Sequence, residues 1–349
     1  MGEGGRVRLD WNGKEIPTQA AVAEVRLVSP GDPACRLVHG DNLAVMRALE
    51  RREMRFMLAY LDPPFLTGRL HLRVTRARRA DTGGIVRNLG PAFDDRWSGL
   101  AEYLSELRPR LVATRELLDD RGCMVLHVDT KTSHYAKVLC DEIFGQSCFA
   151  SEIVWRYRRW PSRTANFQRV HDVLLRYVKN PRTAPRFRQL YEPLAPSTQA
   201  TWGNGRQRAV FDEQGRRRRS STTDAESPGT PLGDVWSIGI VAPVARERTG
   251  YPTQKPEALV ERLLQACTEP GDLVLDPYVG SGTTLAVCHR LGRAAVGIDA
   301  SASAVEVTCR RLEAAGVIPL FERAPAAECP RRLRKTRRAE PADRRRVAR

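Results

Sequence analysis

Apolar positions in this chain fall into two patterned stretches separated by one with no sustained period. In the first, residues 35–40 read as a short strand, 42–52 carry helical apolar spacing, and 56–61 form an apolar run that stops at Asp62. Helical periodicity follows over 100–118, a buried strand over 124–128 and another helix over 135–144. After Ile153-Val-Trp155 the pattern dissolves into Arg, Pro, Gly, Ser and Thr, apart from a strand-like run at 173–178. No long amphipathic element is apparent from about 181 to 231. Order resumes with a helix over 256–267, a strand over 273–275, a helix over 283–291, a strand over 294–298 and a helix over 302–315. Strand alternating with helix predicts an α/β fold whose mostly parallel sheet draws on both stretches. The expected divisions are an N-terminal extension (1–34), two sheet-forming halves (35–180 and 249–325), an irregular insertion between them (181–248) and a basic tail (326–349). The tail has too few apolar residues to fold and is expected to be disordered. Residues 66–92, polar and glycine-containing, read as a mobile lid.

Charge adds a partner to this picture. Lys and Arg number 57 against 41 Asp and Glu, a formal net charge of +16, so a polyanion is expected. No apolar run approaches the roughly 18 residues of a membrane span, and the first residues lack a signal-peptide core. A cytoplasmic protein with no membrane partner is therefore expected. The eight cysteines never fall in Cys-x-x-Cys spacing and mostly sit in apolar runs, as reduced core thiols would. With no clustered His and Cys, no metal site is expected.

Candidate chemistry gathers at predicted strand ends. Leu273-Val-Leu-Asp-Pro-Tyr-Val-Gly-Ser-Gly-Thr-Thr284 turns a buried strand into a helix, the place where open α/β sheets bind ligands. Gly280 and Gly282 let the backbone turn tightly there. No Lys follows Gly282, which excludes the phosphate loop of an NTPase. Asp299 ends the next strand, where a carboxylate accepts from both ribose hydroxyls or, alternatively, caps the following helix. Asp62-Pro63-Pro64-Phe65 is a rigid strand-end turn with one acceptor and one stacking ring.

These segments resemble the amino-group DNA methyltransferases. Asp276 to Thr284 is similar to that family's cofactor loop, with Tyr278 where Phe is usual. Tyr251-Pro-Thr-Gln-Lys-Pro256 resembles the segment holding the methionine end of S-adenosylmethionine, with Lys255 pairing with its carboxylate and Thr253 hydrogen-bonding it. Tyr60-Leu-Asp-Pro-Pro-Phe-Leu-Thr-Gly68 resembles the catalytic loop. Val38-His-Gly-Asp-Asn42 is similar to a segment bordering the cofactor's adenine, with Asp41 the candidate and a helix cap the alternative. Looser likenesses lie at Phe93-Asp-Asp-Arg-Trp97, Leu126-His-Val-Asp129 and His171-Asp172; His127 and His171 are read as structural, since the transfer needs no histidine.

The resemblance implies a Rossmann-like methyltransferase with a seven-stranded sheet. Its motif order is permuted, with the catalytic loop first and a target-recognition region inserted between the halves, as in type III-like modification methylases. Asp62 and Asp276 should then stand at neighbouring strand ends. Implied catalytic residues are Asp62, Pro63, Pro64 and Phe65. Implied S-adenosylmethionine contacts are Asp41, Thr253, Lys255, Asp276, Tyr278, Gly280, Ser281, Gly282, Thr283 and Asp299. The implied reaction is methyl transfer to N6 of an extruded adenine in double-stranded DNA. Asp rather than Ser at position 62 favours adenine over N4 of cytosine; a catalytically inactive DNA-binding subunit and an RNA substrate are the other readings. A restriction subunit and a second copy of the chain are further partner expectations. Arg216 to Arg219 are read as phosphate contacts or a solvated run rather than base readers.

Overall fold

In the computed structural model, residues 8–14, 22–78, 85–161, 163, 165–205, 210–218 and 226–324 are described. The tail expected to be disordered, with Cys329 and Arg219, lies outside them.

Asp41 starts the first helix: its carboxylate accepts from Ala44 N at 3.0 Å, satisfying one of the four free amides of a helix start. Strands β1 (Arg26–Ser29) and β2 (Asp32–His39) precede this helix, α1 (Asn42–Arg51), and β3 (Phe56–Leu61) follows it. Then come the hairpin β4 (Leu70–Arg78) and β5 (Ile85–Asp94), helix α2 (Leu100–Leu117), β6 (Leu118–Val128), α3 (Ser133–Phe144), β7 (Phe149–Arg156) and β8 (His171–Val178). The middle stretch holds only short pieces: β9 (Tyr191–Glu192), α4 (Pro196–Trp202), β10 (Val210–Phe211), β11 (Arg217–Arg218), β12 (Thr230–Pro231) and β13 (Val235–Ser237). The last stretch supplies α5 (Glu257–Cys267), β14 (Leu273–Asp276), α6 (Thr283–Arg290), β15 (Ala294–Asp299), α7 (Ala302–Ala314) and β16 (Pro319–Arg323).

Ten strands form one sheet in the order β1-β16-β2-β15-β14-β3-β6-β8-β7-β13. The expected seven are its continuous centre, from β2 to β7. The sheet gains β1 and β16 at one edge and β13 at the other. Every neighbouring pair is parallel except β1 with β16 and β8 with its two neighbours. The two sequence stretches meet where β14 pairs with β3, Val274 opposite Leu58 and Leu275 opposite Ala59. Phe56, Leu58, Ala59, Tyr60 and Leu61 are all buried although alternate residues face opposite sides. Both faces are therefore covered, by α1, α2 and α3 packed one on the next and by α5, α6 and α7 likewise.

Two expectations change. Residues 66–92, read as a lid loop, contain most of an antiparallel hairpin, and the alternation Leu70-His-Leu-Arg-Val74 is its period-two signature. Its base is fastened to α7: Arg73 reaches Glu306 at 2.7 Å and Ser301 Oγ donates to Ala92 O at 2.8 Å. The edge strands β1 and β16 escaped notice because they are short, half-exposed and interrupted by charge or proline. The seven described cysteines are free thiols, six of them buried. Among the described residues no helix is long and apolar enough to cross a membrane.

Close approach of β6 to β3 depends on Gly122, where a Cβ would stand 2.7 Å from Phe56 O and 3.0 Å from Met57 O, both backbone atoms. Gly122→Ala should cost about 1–3 kcal/mol of stability. Gly99→Ala, where nothing lies within 4 Å, should change it by less than about 0.5 kcal/mol. Urea unfolding of the two variants beside the parent chain checks the contrast.

Candidate active site

The pairing of β14 with β3 sets two strand ends side by side, and both chains turn there into loops that face each other. From β3 comes Asp62-Pro63-Pro64-Phe65. From β14 comes the turn leading into α6, with Gly280 and Gly282 at φ +50° and +74°. Gly282 is the left-handed N-cap of α6, and a Cβ on it would stand 2.8 Å from the Thr308 side chain, so no other residue fits without strain. Between these loops lies a cleft walled by both of them and by the Tyr251–Lys255 segment.

All the predicted site residues line this cleft except Asp41 and Gly282. Asp41 instead heads α1, where besides its cap it faces Arg110 at 3.1 Å. Its neighbour Asn42 is the one that reaches the loop, donating to Pro277 O at 2.9 Å. Asp276 is buried and accepts from Tyr278 N at 3.0 Å. Burial pushes its carboxyl up to about 7, against the hydrogen bonds it accepts, with Asp62 and Asp299 adding like charge. Asp299 is half-buried, which raises its pKa too; it accepts from Gly280 N at 2.9 Å and Ser301 N at 2.8 Å. Thr253 sits at φ +57°, a conformation that costs a β-branched residue of order 1–3 kcal/mol and tends to mark functional sites. Thr283 Oγ1 donates to Lys255 O at 3.2 Å, tying the Thr253–Lys255 segment to α6.

Lys255 crosses the cleft. Its Nζ donates to Asp62 Oδ2, 193 residues away in sequence, and lies 5.1 Å over the Phe65 ring. Both groups are largely buried. Asp62 Oδ1 stands 4.0 Å from His127 Nδ1, too far to share a proton with it.

His127 is fully buried beneath this loop. Loss of water, together with the charges of Asp62, Asp276 and Asp172, holds the Tyr60 phenol well above its usual pKa. Asp172 Oδ2, an acceptor, takes the Nε2–H of His127 at 3.4 Å, and Nδ1 of the neutral ring then accepts from the Tyr60 hydroxyl, 2.9 Å away. Desolvation alone would raise Asp172, but His127, Lys255 and Tyr157 outweigh it and hold its pKa below the usual carboxylate range. Tyr157 OH donates to Asp172 Oδ1 at 3.0 Å. His127 thus lies directly under the Asp62–Phe65 loop, with the Phe65 ring 5.8 Å away.

Sequence reasoning passed over the far wall of the cleft. Thr67 donates to Asp95 through its hydroxyl, and His71 stacks on Phe93 at 4.4 Å, with Phe93 stacked on Tyr251 at 6.3 Å. Asp95 is buried, its pKa raised by desolvation. The loose likeness at 93–97 was the available signal. Arg218 pairs with Asp212 at 3.2 Å in the β10–β11 hairpin.

The family model described as DNA methylase matches residues 56–310, well over half of the chain. Type II methyltransferase M.EcaI of Enterobacter cloacae is 28% identical over 322 residues, covering 78% of this chain and 68% of that protein. DNA adenine methyltransferase YhdJ of Escherichia coli (strain K12) is 26% identical over 288 residues, 82% of this chain and 85% of that one. Among solved structures, the M1.HpyAVI-SAM complex aligns with a TM-score of 0.48 at 18% identity, over 79% of this chain and 98% of that one.

The raised pKa of Asp276 has a consequence for the free protein. Its unfolded form loses this proton near pH 4 and its folded form only near pH 7. This group's contribution to stability therefore falls as pH climbs through that window. Asp276→Asn, which removes the charge and keeps the acceptor, should be more stable than the parent at pH 8, by on the order of 2–4 kcal/mol. Near pH 4 the two should be alike. Urea midpoints at the two pH values test this.

Proposed function

Because this chain belongs to the DNA methylase family, we propose that it methylates N6 of adenine in duplex DNA, with S-adenosylmethionine as methyl donor. The observation that carries the proposal is the Asp62 carboxylate, held at the end of β3 against the cofactor-type loop of β14, with Phe65 beside it. An adenine amino lone pair is delocalised into its ring. It becomes nucleophilic when acceptors draw the two amino hydrogens out of conjugation. Asp62 Oδ1, left over by Lys255, accepts one, and the Pro63 carbonyl accepts the other. Pro63 and Pro64 stiffen the loop in that pose, and Phe65 stacks on a base swung out of the helix. Asp62 need not be a strong base, since the nitrogen becomes acidic once methylated. Much of the acceleration is positional. The adenine assignment rests on Asp at 62, and the name of the Escherichia coli relative, an adenine methyltransferase, agrees.

The cleft fits the cofactor in charge. Asp62, Asp276 and Asp299 face a single ammonium, Lys255, and S-adenosylmethionine carries a net positive charge. When bound, it supplies a methyl group on an electrophilic sulfonium. Asp299 suits its ribose hydroxyls, Thr253 and Lys255 its methionine carboxylate, and the glycine turn a close backbone approach. Lys255 then changes partner or serves both carboxylates. The surplus of basic residues outside the cleft holds the phosphates, and a restriction subunit or a second copy of the chain is a further partner consistent with the family.

Digesting DNA treated with the enzyme and labelled cofactor should yield N6-methyladenine; N4-methylcytosine alone would overturn the assignment. Mapping methylated bases in DNA from cells expressing the chain gives the recognition site. Asp62→Ala should lower kcat by about a thousandfold or more while cofactor binding persists. If binding needs ionised Asp276, cofactor affinity measured by calorimetry should rise about tenfold from pH 6 to pH 8.

A further inference from the structure

The loop joining β7 to β8 carries two side chains that the fold does not use. Trp160 is 91% exposed and Phe167 98%. Large apolar rings seldom stand so far out without an interaction to make. The base of the loop is pinned rather than loose. Tyr157 N donates to Val170 O at 2.8 Å, and Gln168 Nε2 donates to Trp160 O at 2.8 Å. The second bond holds Trp160 close to Gln168, the neighbour of Phe167, so the two exposed rings belong to facing arms of one loop.

The base of this loop is linked to the Asp62 loop through a relay of side chains. From Asp62 the path runs 4.0 Å to His127, 3.4 Å to Asp172, 3.0 Å to Tyr157 and 3.2 Å to Arg159, whose neighbour is Trp160. Charge names the occupant. Arg156, Arg158, Arg159, Arg163 and Arg169 are exposed, and no carboxylate occurs between Glu152 and Asp172. Aromatic rings set among arginines suit a polyanion that also offers flat apolar faces, which is nucleic acid.

We propose that this loop is the wedge that holds the duplex open, with Trp160 and Phe167 stacking on the base pairs that flank the vacated position. The inference rests on the DNA-methylation reading and adds to it a second surface. Phe65 takes the departing base, and the β7–β8 loop fills the gap left behind. Extrusion unstacks bases, and a wedge returns part of that stacking.

The test compares two oligonucleotide duplexes carrying the mapped site, one with the target base paired and one with an abasic site opposite it. On the paired duplex, the double variant W160A/F167A should lose about tenfold or more in kcat/KM. On the abasic duplex, where opening is already done, it should stay within about threefold of the parent. W160F/F167Y should keep the parent's rate on both. S-adenosylmethionine affinity and thermal unfolding should not change, since neither ring packs against the fold. Equal losses on the two duplexes, or no loss on the paired one, would overturn the wedge; the latter would leave these rings to a protein partner. A parent enzyme that methylates neither duplex would instead overturn the DNA reading beneath it.

Discussion

The parallel pairing of β14 with β3 is the constraint on which the site depends. It is formed by few residues, yet it sets the register of two half-sheets that come from opposite ends of an irregular basic stretch. Val274 opposite Leu58 brings Asp276 to the level of Tyr60, with Asp62 two residues beyond. A shift of one residue would turn every side chain of the strand to the other face. The Asp62 carboxylate and the glycine turn after β14 would no longer share a cleft. The Lys255–Asp62 contact then closes across a junction whose geometry the sheet has already fixed.

Charge is divided between the surface and this junction. The chain is strongly basic overall, while its cleft gathers Asp62, Asp95, Asp276 and Asp299 with few cations. Such a cavity repels phosphate and accepts a cation or a neutral base. A polyanion can therefore be held close by the periphery while only an extruded nucleobase enters. Burying so many carboxyls is costly, as the raised pKa values of Asp276, Asp299 and Asp95 indicate. That cost is part of what a cationic ligand relieves.

The central sheet was legible because its strands are continuous apolar runs ending in Asp or Gly, and because helix spacing between them was regular. The candidate site at those strand ends was legible as motifs for the same reason: Asp62-Pro-Pro-Phe and the Gly280 to Gly282 turn are local in sequence, and the fold brings the two loops to one cleft. What stayed hidden was assembled from afar. Asp41 and Asn42 are adjacent, and only the packing decides that the first caps α1 while the second holds the Pro277 carbonyl. His127 looks like an ordinary core histidine until β8 places Asp172 against it. The hairpin from Leu70 to Asp94 had its alternation, but polar residues and glycines masked it. Its aromatic contribution to the cleft, Phe93 between His71 and Tyr251, draws on three separated segments.

The strand order also governs the chain's emergence from the ribosome. In the finished sheet β14 and β15 stand between β2 and β3, yet of all the strands only β16 is synthesised later. Until they arrive, β2 lacks its sheet neighbours, and the block β3-β6-β8-β7-β13 has β3 as a bare, wholly apolar edge. Open apolar edges recruit other strands. The long basic stretch that separates the halves is thus also the interval during which this edge must be kept from pairing with a neighbour's.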